Sequence, residues 1–272
     1  MITRPVLRYP GGKYRIADWV ISHFPSHNLY VEPFGGAASV LMAKGRSTGE
    51  IYNDLNSNVV NVFRVLRDPD QAGRLEELCR LTPFALEEYN AAFEPCDEPI
   101  EKARRMIFRS FAGIGSDSIF RNCGFRYSKH NKSGVVPAQG WMRYPEAIKY
   151  FTTRLQGVVI NNLDAFDIIK KYDSEETLFY LDPPYLSSTR SDSSVLYANE
   201  MLGEEQHLML AGLIKTLKGK VVLSGYASEL YKNLYEGFRL MAKSANGGSG
   251  NGHGSKRVEC LWLSPNIQTT LF

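Results

Sequence analysis

The chain has 272 residues, 43% of them hydrophobic and 22% charged, which is ordinary for a globular protein with one large domain or a core domain carrying an insertion. Its formal net charge of +3 is too small to indicate a nucleic-acid partner by itself. The N-terminal MITRPVLRYPGGK lacks the apolar core of a signal peptide, and no apolar run is long enough to span a bilayer, so we expect a cytoplasmic protein that is not in a membrane.

The beginning of the chain predicts the start of an α/β fold. Residues 29–34 (LYVEPF) form a short apolar strand that stops at a proline, and GGAAS and a helical stretch follow it. A second short strand, IYNDL at 51–55, ends in an acid. Strand, glycine turn, helix and strand make the opening βαβ unit of a doubly wound sheet.

The middle of the chain interrupts this pattern with helices. From about residue 56 to 154 the apolar residues have helical spacing, broken by Asp-Pro at 68–69 and Thr-Pro at 82–83. Further strands are predicted at 155–162, 177–182, 220–226 and 257–264. A helix is predicted over 204–217, with His207 at the surface, and the Gly-rich stretch 245–255 is typical of a mobile loop.

These elements predict two parts. A catalytic α/β domain is formed by residues 1–57 and 155–272, and a mainly helical insert by residues 58–154. The insert holds an uneven charge, because residues 101–143 contain nine basic residues against two acids, a balance of 9 − 2 = +7. The nine are Lys102, Arg104, Arg105, Arg109, Arg121, Arg126, Lys129, Lys132 and Arg143.

Aromatic residues and glycines interleave with these charges, as in FRSFAGIG and FRNCGFRYSKHNKSG. This combination favours phosphate contacts and base stacking, whereas the alternative is an ordinary solvated helix face. The second stretch has turn residues at Asn122–Gly124 and Asn131–Gly134 that are compatible with a hairpin. Our candidate DNA-binding residues are Arg109, Arg121, Arg126, Lys129 and Lys132.

Four short motifs are the candidates for chemistry: YPGGK (9–13), EPFGG (32–36), NDLN (53–56) and DPPY (182–185). In an open parallel sheet, ligands bind beyond the carboxyl ends of the strands, where the last three motifs would meet. EPFGG allows close backbone approach but is not GxGxxG, which disfavours a dinucleotide pyrophosphate site. Asp54 follows the second strand, where an acid can bind ribose hydroxyls, although a helix N-cap is the alternative role.

In this order and with a helical insert before DPPY, the four motifs resemble those of the Dam-like (D12-class) DNA adenine-N6 methyltransferases. The resemblance extends over most of the chain, including NNLDAFDII and RVECLW, and is weakest between about residues 65 and 110. It implies an α/β fold with a class I (Rossmann-like) methyltransferase sheet and an inserted target-recognition domain. It also implies S-adenosylmethionine as the cofactor, double-stranded DNA as the partner, and a role in restriction-modification or regulation.

The resemblance also implies individual roles. Tyr9 and Lys13 would border the cofactor, with Lys13 able to pair with its carboxylate, and Asp164 would bind its adenine. The remaining implied cofactor-binding residues are Glu32, Phe34, Gly35, Gly36, Asp54, Phe166 and Asp182. There is one departure from the family, since Ala37 and Ala38 follow Gly36, and we expect that the backbone there cannot use glycine-only angles.

DPPY suits methyl transfer to an exocyclic amine. Such an amine is a poor nucleophile, and acceptors aimed at its N–H groups favour the pyramidal nitrogen that attacks a methyl sulfonium. Asp182 offers one acceptor and the carbonyl of Pro183 another, while the prolines fix the geometry. The base must leave the duplex to reach them, and Tyr185 offers a face for stacking. The candidate catalytic residues are therefore Asp182, Pro183, Pro184 and Tyr185.

Other functions remain open at this stage. The same acceptors suit N4-cytosine methylation, a DNA-binding homologue could have lost catalysis, and a nicotinamide dehydrogenase is disfavoured because GxGxxG is absent. The cysteines Cys79, Cys96, Cys123 and Cys260 form no CxxC pair and the five histidines are scattered, so we expect no metal. We expect a monomer or a weak dimer.

Overall fold

The computed structural model describes residues 4–127, 136–184, 204–225, 227–246 and 256–267. Its centre is a seven-stranded sheet of order β3-β2-β1-β4-β5-β7-β6. The strands are β1 (Leu29–Glu32), β2 (Gly49–Asn53), β3 (Val158–Asn161), β4 (Thr177–Leu181), β5 (Lys220–Gly225), β6 (Arg239–Asn246) and β7 (Lys256–Leu263). The first five are parallel, and β7 runs antiparallel between β5 and β6. The predicted Rossmann-like methyltransferase sheet is confirmed.

The central strands are buried on both faces, so neighbouring side chains enter two different cores. Tyr30 and Tyr180 face one core, and Val31 and Phe179 face the other. The second core is covered by α9 (Ala165–Lys171), α10 (Glu204–Ile214) and α11 (Glu229–Leu234). The first core is covered by α1 (Ala17–Ile21), α2 (Ser39–Ala43) and the helices that lie between β2 and β3.

The helices between β2 and β3 are α3 (Ser57–Arg67), α4 (Pro69–Leu81), α5 (Leu86–Ala91), α6 (Pro99–Ala112), α7 (Pro137–Met142) and α8 (Pro145–Leu155). Four of them begin with proline, which has no backbone N–H. The first N–H groups of a helix have no partner within the helix, so proline costs no hydrogen bond at this position. Asp68 and Glu98 cap α4 and α6 by accepting from backbone N–H groups. Large side chains of these helices, including Phe108 and Trp141, join Tyr30 and Tyr52 in one continuous core.

Two predictions about the last third of the chain were wrong. The edge strand β6 was not predicted, and its last two residues fall within the stretch 245–255 that we expected to be a loop. Residues 247–255 lie outside the described part of the chain. His207 is buried, not exposed, and its Nδ1 lies 3.2 Å from the hydroxyl of Tyr231. Helix α10 is apolar on most sides, so its sequence does not mark which face is covered.

The two-stranded ribbon of β6 and β7 extends beyond its neighbour. The described pairing of β5 with β7 ends at Gly225 and Cys260, whereas β6 and β7 stay paired for four more positions, to Asn246 and Lys256. This extension lies on the side of the sheet where the parallel strands end. Among the described residues, no helix combines the length and the apolar character needed to cross a membrane.

Candidate active site

The loops that follow β1, β2, β3 and β4 open into one cleft at the carboxyl edge of the sheet. The cleft is open to solvent, and its walls come from all four of these loops and from YPGGK. Every residue predicted to bind the cofactor lines it: Tyr9, Lys13, Glu32, Phe34, Gly35, Gly36, Asp54, Asp164, Phe166 and Asp182. Pro183 and Pro184 line it too, and Tyr185 lies outside the described residues. The individual roles stay predictions.

Asp182 is held at the end of β4 by a buried cation. The ammonium of Lys13 lies 2.9 Å from its Oδ1 and donates to the carbonyl of Gly11 at 2.7 Å. Burial acts to lower the pKa of Lys13, but the charge of Asp182 and the hydrogen bond to it outweigh burial and raise that pKa above its usual value. YPGGK therefore supplies a permanent positive charge beside the carboxylate of DPPY.

The glycine turn after β1 is packed tightly against β2. The N–H of Gly35 donates to the carbonyl of Asn53 at 2.8 Å, and a Cβ at Gly35 would meet the ring of Tyr52 at 2.1 Å. Gly36 has φ of +46°, and its carbonyl accepts from the Tyr52 hydroxyl at 2.8 Å. A side chain at Gly36 would reach the ring of Tyr9 at 3.0 Å. Both glycines line the cleft, and the rings of Tyr52 and Tyr9 leave little room for a side chain at either position.

Ala38 has an unusual backbone conformation in this turn, although not one that is restricted to glycine. Its φ of 52° and ψ of 32° are left-handed, so the backbone does use an angle that glycine favours. The left-handed helical region is accessible to alanine at a cost of about 1–2 kcal/mol, unlike the regions open to glycine alone. The side chain of Ala38 is fully buried in the first core, and its N–H donates to the carbonyl of Gly35 at 2.7 Å.

Asp54 joins the loops after β1 and β2. Its Oδ2 accepts from the N–H of Gly36 and its Oδ1 from the N–H of Asn56, each at 2.8 Å. Burial raises the pKa of Asp54, and these two hydrogen bonds oppose the rise. The alternative role as the cap of the next helix is wrong, because Asn56 caps α3 by accepting from Asn58 and Val59.

Glu32 is a buried carboxyl group at the end of β1. Its Oε2 accepts from the hydroxyl of Tyr30 at 2.9 Å and from the N–H of Leu41 at 3.1 Å. Burial raises the pKa of Glu32 to about 8, with a further rise from the negative charge of Asp182 and an opposing effect of the two hydrogen bonds. Burial therefore favours the protonated form of Glu32.

Asp164 caps the helix after β3, with Oδ1 accepting from the N–H of Phe166 at 2.8 Å. The cap occupies one acceptor site of a carboxylate that has several, so Asp164 can also face a ligand. Phe166 packs against the second core at the cleft wall.

Two asparagines that the sequence did not assign organise these loops. The amide of Asn53 donates to the carbonyls of Pro33 at 2.9 Å and Leu163 at 3.0 Å, and its Oδ1 accepts from the N–H of Leu163. Asn162 donates to the carbonyls of Asp54 and Leu55. A polar side chain directly after a buried strand was the available signal, since backbone groups in such loops need partners.

Ser39 is another residue that the sequence did not single out. Its Oγ is buried without a hydrogen-bond partner among the described residues, and the side chain lines the cleft. An unsatisfied buried hydroxyl that lines the cleft fits a polar small molecule bound there. The same part of the chain contains no group of three His, Cys, Asp or Glu side chains placed to hold a metal ion.

The predicted DNA-binding residues are less uniform than their sequence suggests. The guanidinium of Arg109 is half-buried, 4.9 Å from the ring centre of Phe93, and burial lowers the pKa of Arg109 to about 10. Arg121 is exposed and pairs with Asp117 at 3.1 Å, and Arg126 donates to the carbonyl of Gly113 at 3.1 Å. Lys129 and Lys132 lie outside the described residues.

Acidic residues inside and outside the segment 101–143 neutralise part of the positive charge of that segment. Glu101 bonds to both Arg104 and Arg105, and Glu88 from α5 also reaches Arg104. Arg104 and Arg105 are thus paired within the protein, which agrees with the alternative hypothesis that the charges belong to an ordinary helix face. The structure describes the predicted hairpin only up to residue 127. Within this part, Phe125 forms an isolated antiparallel bridge with Gly113.

The mostly parallel seven-stranded sheet, with a cleft at the carboxyl ends of its strands, is consistent with a Rossmann-like methyltransferase fold. A family model described as D12 class N6 adenine-specific DNA methyltransferase matches residues 9–247, and the chain belongs to this family. It is an adenine-specific DNA methyltransferase, and the resemblance found in the sequence is confirmed.

Relatives match along nearly the whole chain. The DNA adenine methylase of Haemophilus influenzae is 26% identical over 252 residues, 87% of this chain and 84% of that protein. The type II methyltransferase M.MjaIII of Methanocaldococcus jannaschii is 23% identical over 271 residues, 88% of this chain and 90% of that protein. The type II methyltransferase M1.LlaDCHI of Lactococcus lactis subsp. cremoris is 24% identical over 273 residues, 92% of each chain.

Proposed function

We propose that the protein binds S-adenosylmethionine in the cleft and methylates N6 of an adenine that has been turned out of duplex DNA. The observation that carries this proposal is the fixed position of Asp182, which Lys13 holds at 2.9 Å in a cleft that also contains Asp54 and the glycine turn. An acceptor for the amine and a pocket for a nucleoside thus share one space.

The residues of the cleft fit the cofactor. Gly35, Gly36 and Ser39, whose hydroxyl has no partner among the described residues, line the part of the cleft where its methionine part would lie. Asp54 keeps acceptor capacity for ribose hydroxyls, and Asp164 and Phe166 line the cleft beyond β3, where the adenine would lie. When bound, the cofactor supplies a methyl group on a positively charged sulfur.

The acceptors at DPPY activate the base. The carboxylate of Asp182 and the carbonyl of Pro183 accept the two N–H groups of the amine, so that the nitrogen lone pair turns away from the ring. Asp182 and Pro183 would thus hold the amine toward the methyl group that the bound cofactor would supply, with the electrons of the carbon–sulfur bond left on sulfur. The nitrogen then sheds one proton, for which Asp182 is the adjacent acceptor. Lys13 favours the charged carboxylate before the transfer.

The target adenine has to leave the duplex to reach these groups. Only 20% of the Asp182 side chain is exposed, within a cleft that a stacked base cannot enter. Extrusion of the base costs a few kcal/mol, which contacts to the flipped base and the DNA backbone offset. The sequence offers Tyr185 as the stacking surface.

An Asp182→Asn variant tests the proposal. We expect it to bind S-adenosylmethionine and duplex DNA with affinities near those of the wild type and to transfer labelled methyl groups at least about 100-fold more slowly. Modified-base sequencing of DNA incubated with the wild type should map the mark to adenine. Methylation of cytosine, or undiminished transfer by Asp182→Asn, would contradict the proposed chemistry.

A further inference from the structure

The motif RVECLW, at residues 257–262, forms most of β7, and the proposed function gives it no role. Its acidic residue, Glu259, is the first residue of β7 beyond the last described pair with β5. Glu259 is half-buried, lies opposite Lys243 of β6, and is not among the residues that line the cleft. It is therefore at the carboxyl edge of the parallel strands but outside the wall of the cleft.

Glu259 and Asp182 point to the same face of the sheet. Leu261 and Leu263 of β7 pack in the first core, and side chains alternate along a strand, so Glu259 faces that side too. Tyr180 of β4 also packs in the first core, which puts Asp182, two residues later, on the same face. The two carboxylates thus share one side of the sheet.

The register of the sheet gives the separation of these two residues. Leu181 is paired with Leu223 of β5, and Leu223 with Trp262 of β7, so Trp262 is level with Leu181. Because β7 is antiparallel, Glu259 lies three positions beyond that level (262 − 259) and Asp182 one position beyond it (182 − 181). At about 3.3 Å per residue and about 4.8 Å between strands, Glu259 is roughly 7 Å further along the strands and roughly 10 Å across. That separation allows one ammonium group between the two side chains to interact with both carboxylates.

Lys13 supplies that ammonium. Its Nζ lies 2.9 Å from Oδ1 of Asp182, and only 4% of its side chain is exposed. Burial acts to lower the pKa of Lys13, whereas Asp182, Tyr180 and Glu259 all act to raise it. Solvent does little to screen charges at such a buried position, so the attraction of Glu259 acts on the ammonium together with that of Asp182.

Two attractions from different sides fix the ammonium better than one. The Nζ of Lys13 donates to the carbonyl of Gly11 at 2.7 Å and lies against Asp182 on the side of β4. Glu259 draws the same charge toward β7, two strands away. A lysine side chain is long and flexible, so the loss of one attraction allows Nζ to shift together with the carboxylate that it holds. A displacement of about 1 Å at a reacting group is enough to slow an enzyme about 100-fold.

We infer that Glu259 is a positioning residue for methyl transfer, which holds Lys13 from the side of β7 and thereby keeps Asp182 aimed at the target amine. The inference rests on the proposed function of the cleft. It assigns a role to the motif RVECLW, whose glutamate acts on the reaction only through Lys13. The negative charge of Glu259, and not the shape of its side chain, is the feature that this role requires.

Single-turnover methyl transfer to duplex DNA tests the inference. Glu259→Gln keeps the size of the side chain and removes its charge, and we expect it to transfer labelled methyl groups roughly 10-fold more slowly. Its Kd for S-adenosylmethionine, measured by calorimetric titration, should stay at the wild-type value, because Glu259 is not in the wall of the cleft. Glu259→Asp retains the charge and should recover most of the rate.

The combination with Lys13 distinguishes positioning from a general effect on stability. Lys13→Met removes the group through which Glu259 acts, so Lys13→Met/Glu259→Gln should be no slower than Lys13→Met alone. A merely structural role would lower the rate by the same factor in both backgrounds. Such additivity, or a wild-type rate in Glu259→Gln, would overturn the inference.

Matched controls separate Lys13 from the other neighbours of Glu259. Lys243→Ala removes the residue paired with Glu259 across β6 and β7, and it should keep the wild-type rate. Glu229→Gln makes the same substitution at a side chain that is 82% exposed and pairs with Lys232, and it should also leave the rate unchanged. A rate loss in Lys243→Ala equal to that in Glu259→Gln would assign the effect to the pairing of β6 with β7 and overturn the inference alone. A wild-type protein that transfers no methyl group to duplex DNA would overturn the proposed function as well.

Discussion

The ammonium of Lys13 and the carboxylate of Asp182 form a close ion pair, 2.9 Å between Nζ and Oδ1, with only 4% of the lysine side chain exposed. The family resemblance implied that Lys13 could pair with the carboxylate of the cofactor. In this structure the ammonium is directed at DPPY and at the carbonyl of Gly11. We therefore expect Lys13 to act on the position and charge of Asp182 more than on cofactor affinity.

Replacing Lys13 should separate these two roles. Lys13→Met should lower kcat by about 100-fold, because the carboxylate of Asp182 loses the partner that fixes it, while the Kd for S-adenosylmethionine changes little. Single-turnover methyl transfer and calorimetric titration with the cofactor measure the two quantities. A large rise in Kd with unchanged kcat would assign Lys13 to the cofactor carboxylate instead.

A double-mutant cycle measures the pair directly. Lys13→Met, Asp182→Asn and the double variant, compared by urea unfolding, should show a coupling free energy of about 1–3 kcal/mol, since both groups are largely buried. Arg80 and Glu76 form an exposed i,i+4 pair at 2.6 Å and serve as the control. Their coupling should stay below about 0.5 kcal/mol.

Asp54 should affect cofactor binding through its place in the cleft. Asp54→Ala removes acceptors for ribose and the bonds from Gly36 and Asn56, so we expect the Kd for S-adenosylmethionine to rise by about 10–100-fold. Asp68→Ala is the control, because Asp68 caps α4 away from the cleft and its loss should cost about 1 kcal/mol of stability alone. Equal changes in Kd for both variants would mean that Asp54 acts only through stability.

The convergence of EPFGG, NDLN and DPPY was predictable from the sequence, and the reason is topological, whereas YPGGK follows no strand among the described residues. Parallel strands end at one edge, so any polar motif that follows such a strand, as Asp54, Asp164 and Asp182 do, must lie there. The prolines of DPPY and the break after β1 marked these ends clearly. The same rule placed EPFGG and NDLN side by side.

What the sequence could not supply are contacts that depend on the packing of distant elements. The pairing of Arg104 with Glu88 neutralises a charge that a local count assigns to DNA binding. His207 lies on a helix without a clear polar face, so its burial follows only from the position of Tyr231. In the edge strand β6, Leu240 and Lys243 lie on opposite faces and are both exposed. The alternation of apolar and polar residues that identifies a strand is therefore weak in this segment.

Glu32 gives the protein a specific dependence on pH. Its pKa of about 8 in the folded protein exceeds the ordinary value of 4.5, because burial favours the neutral form. Between those values the folded state holds a proton that the unfolded state releases, so this group's contribution to stability falls as pH rises from about 4.5 to 8 and then levels off. Glu32→Gln lacks this effect.

The free energy of unfolding, measured with urea from pH 5 to pH 9, should therefore decline in the wild type relative to Glu32→Gln. The total difference should be on the order of 4 kcal/mol, at 1.36 kcal/mol per pKa unit. The glutamine keeps an acceptor for Tyr30 and Leu41, so the comparison isolates the charge. Parallel pH profiles for the two proteins would mean that Glu32 titrates near its ordinary value.

Gly35 should tolerate no side chain. An added Cβ would overlap the ring of Tyr52, which is fully buried and donates its hydroxyl hydrogen bond to the carbonyl of Gly36. Gly35→Ala must therefore displace the ring or the turn, and we expect a loss of about 1–3 kcal/mol in urea unfolding together with weaker cofactor binding. Gly45→Ala is the matched control, since no atom lies within 4 Å of its added Cβ. If Gly35→Ala is as stable as Gly45→Ala and binds the cofactor normally, the turn is looser than this packing indicates.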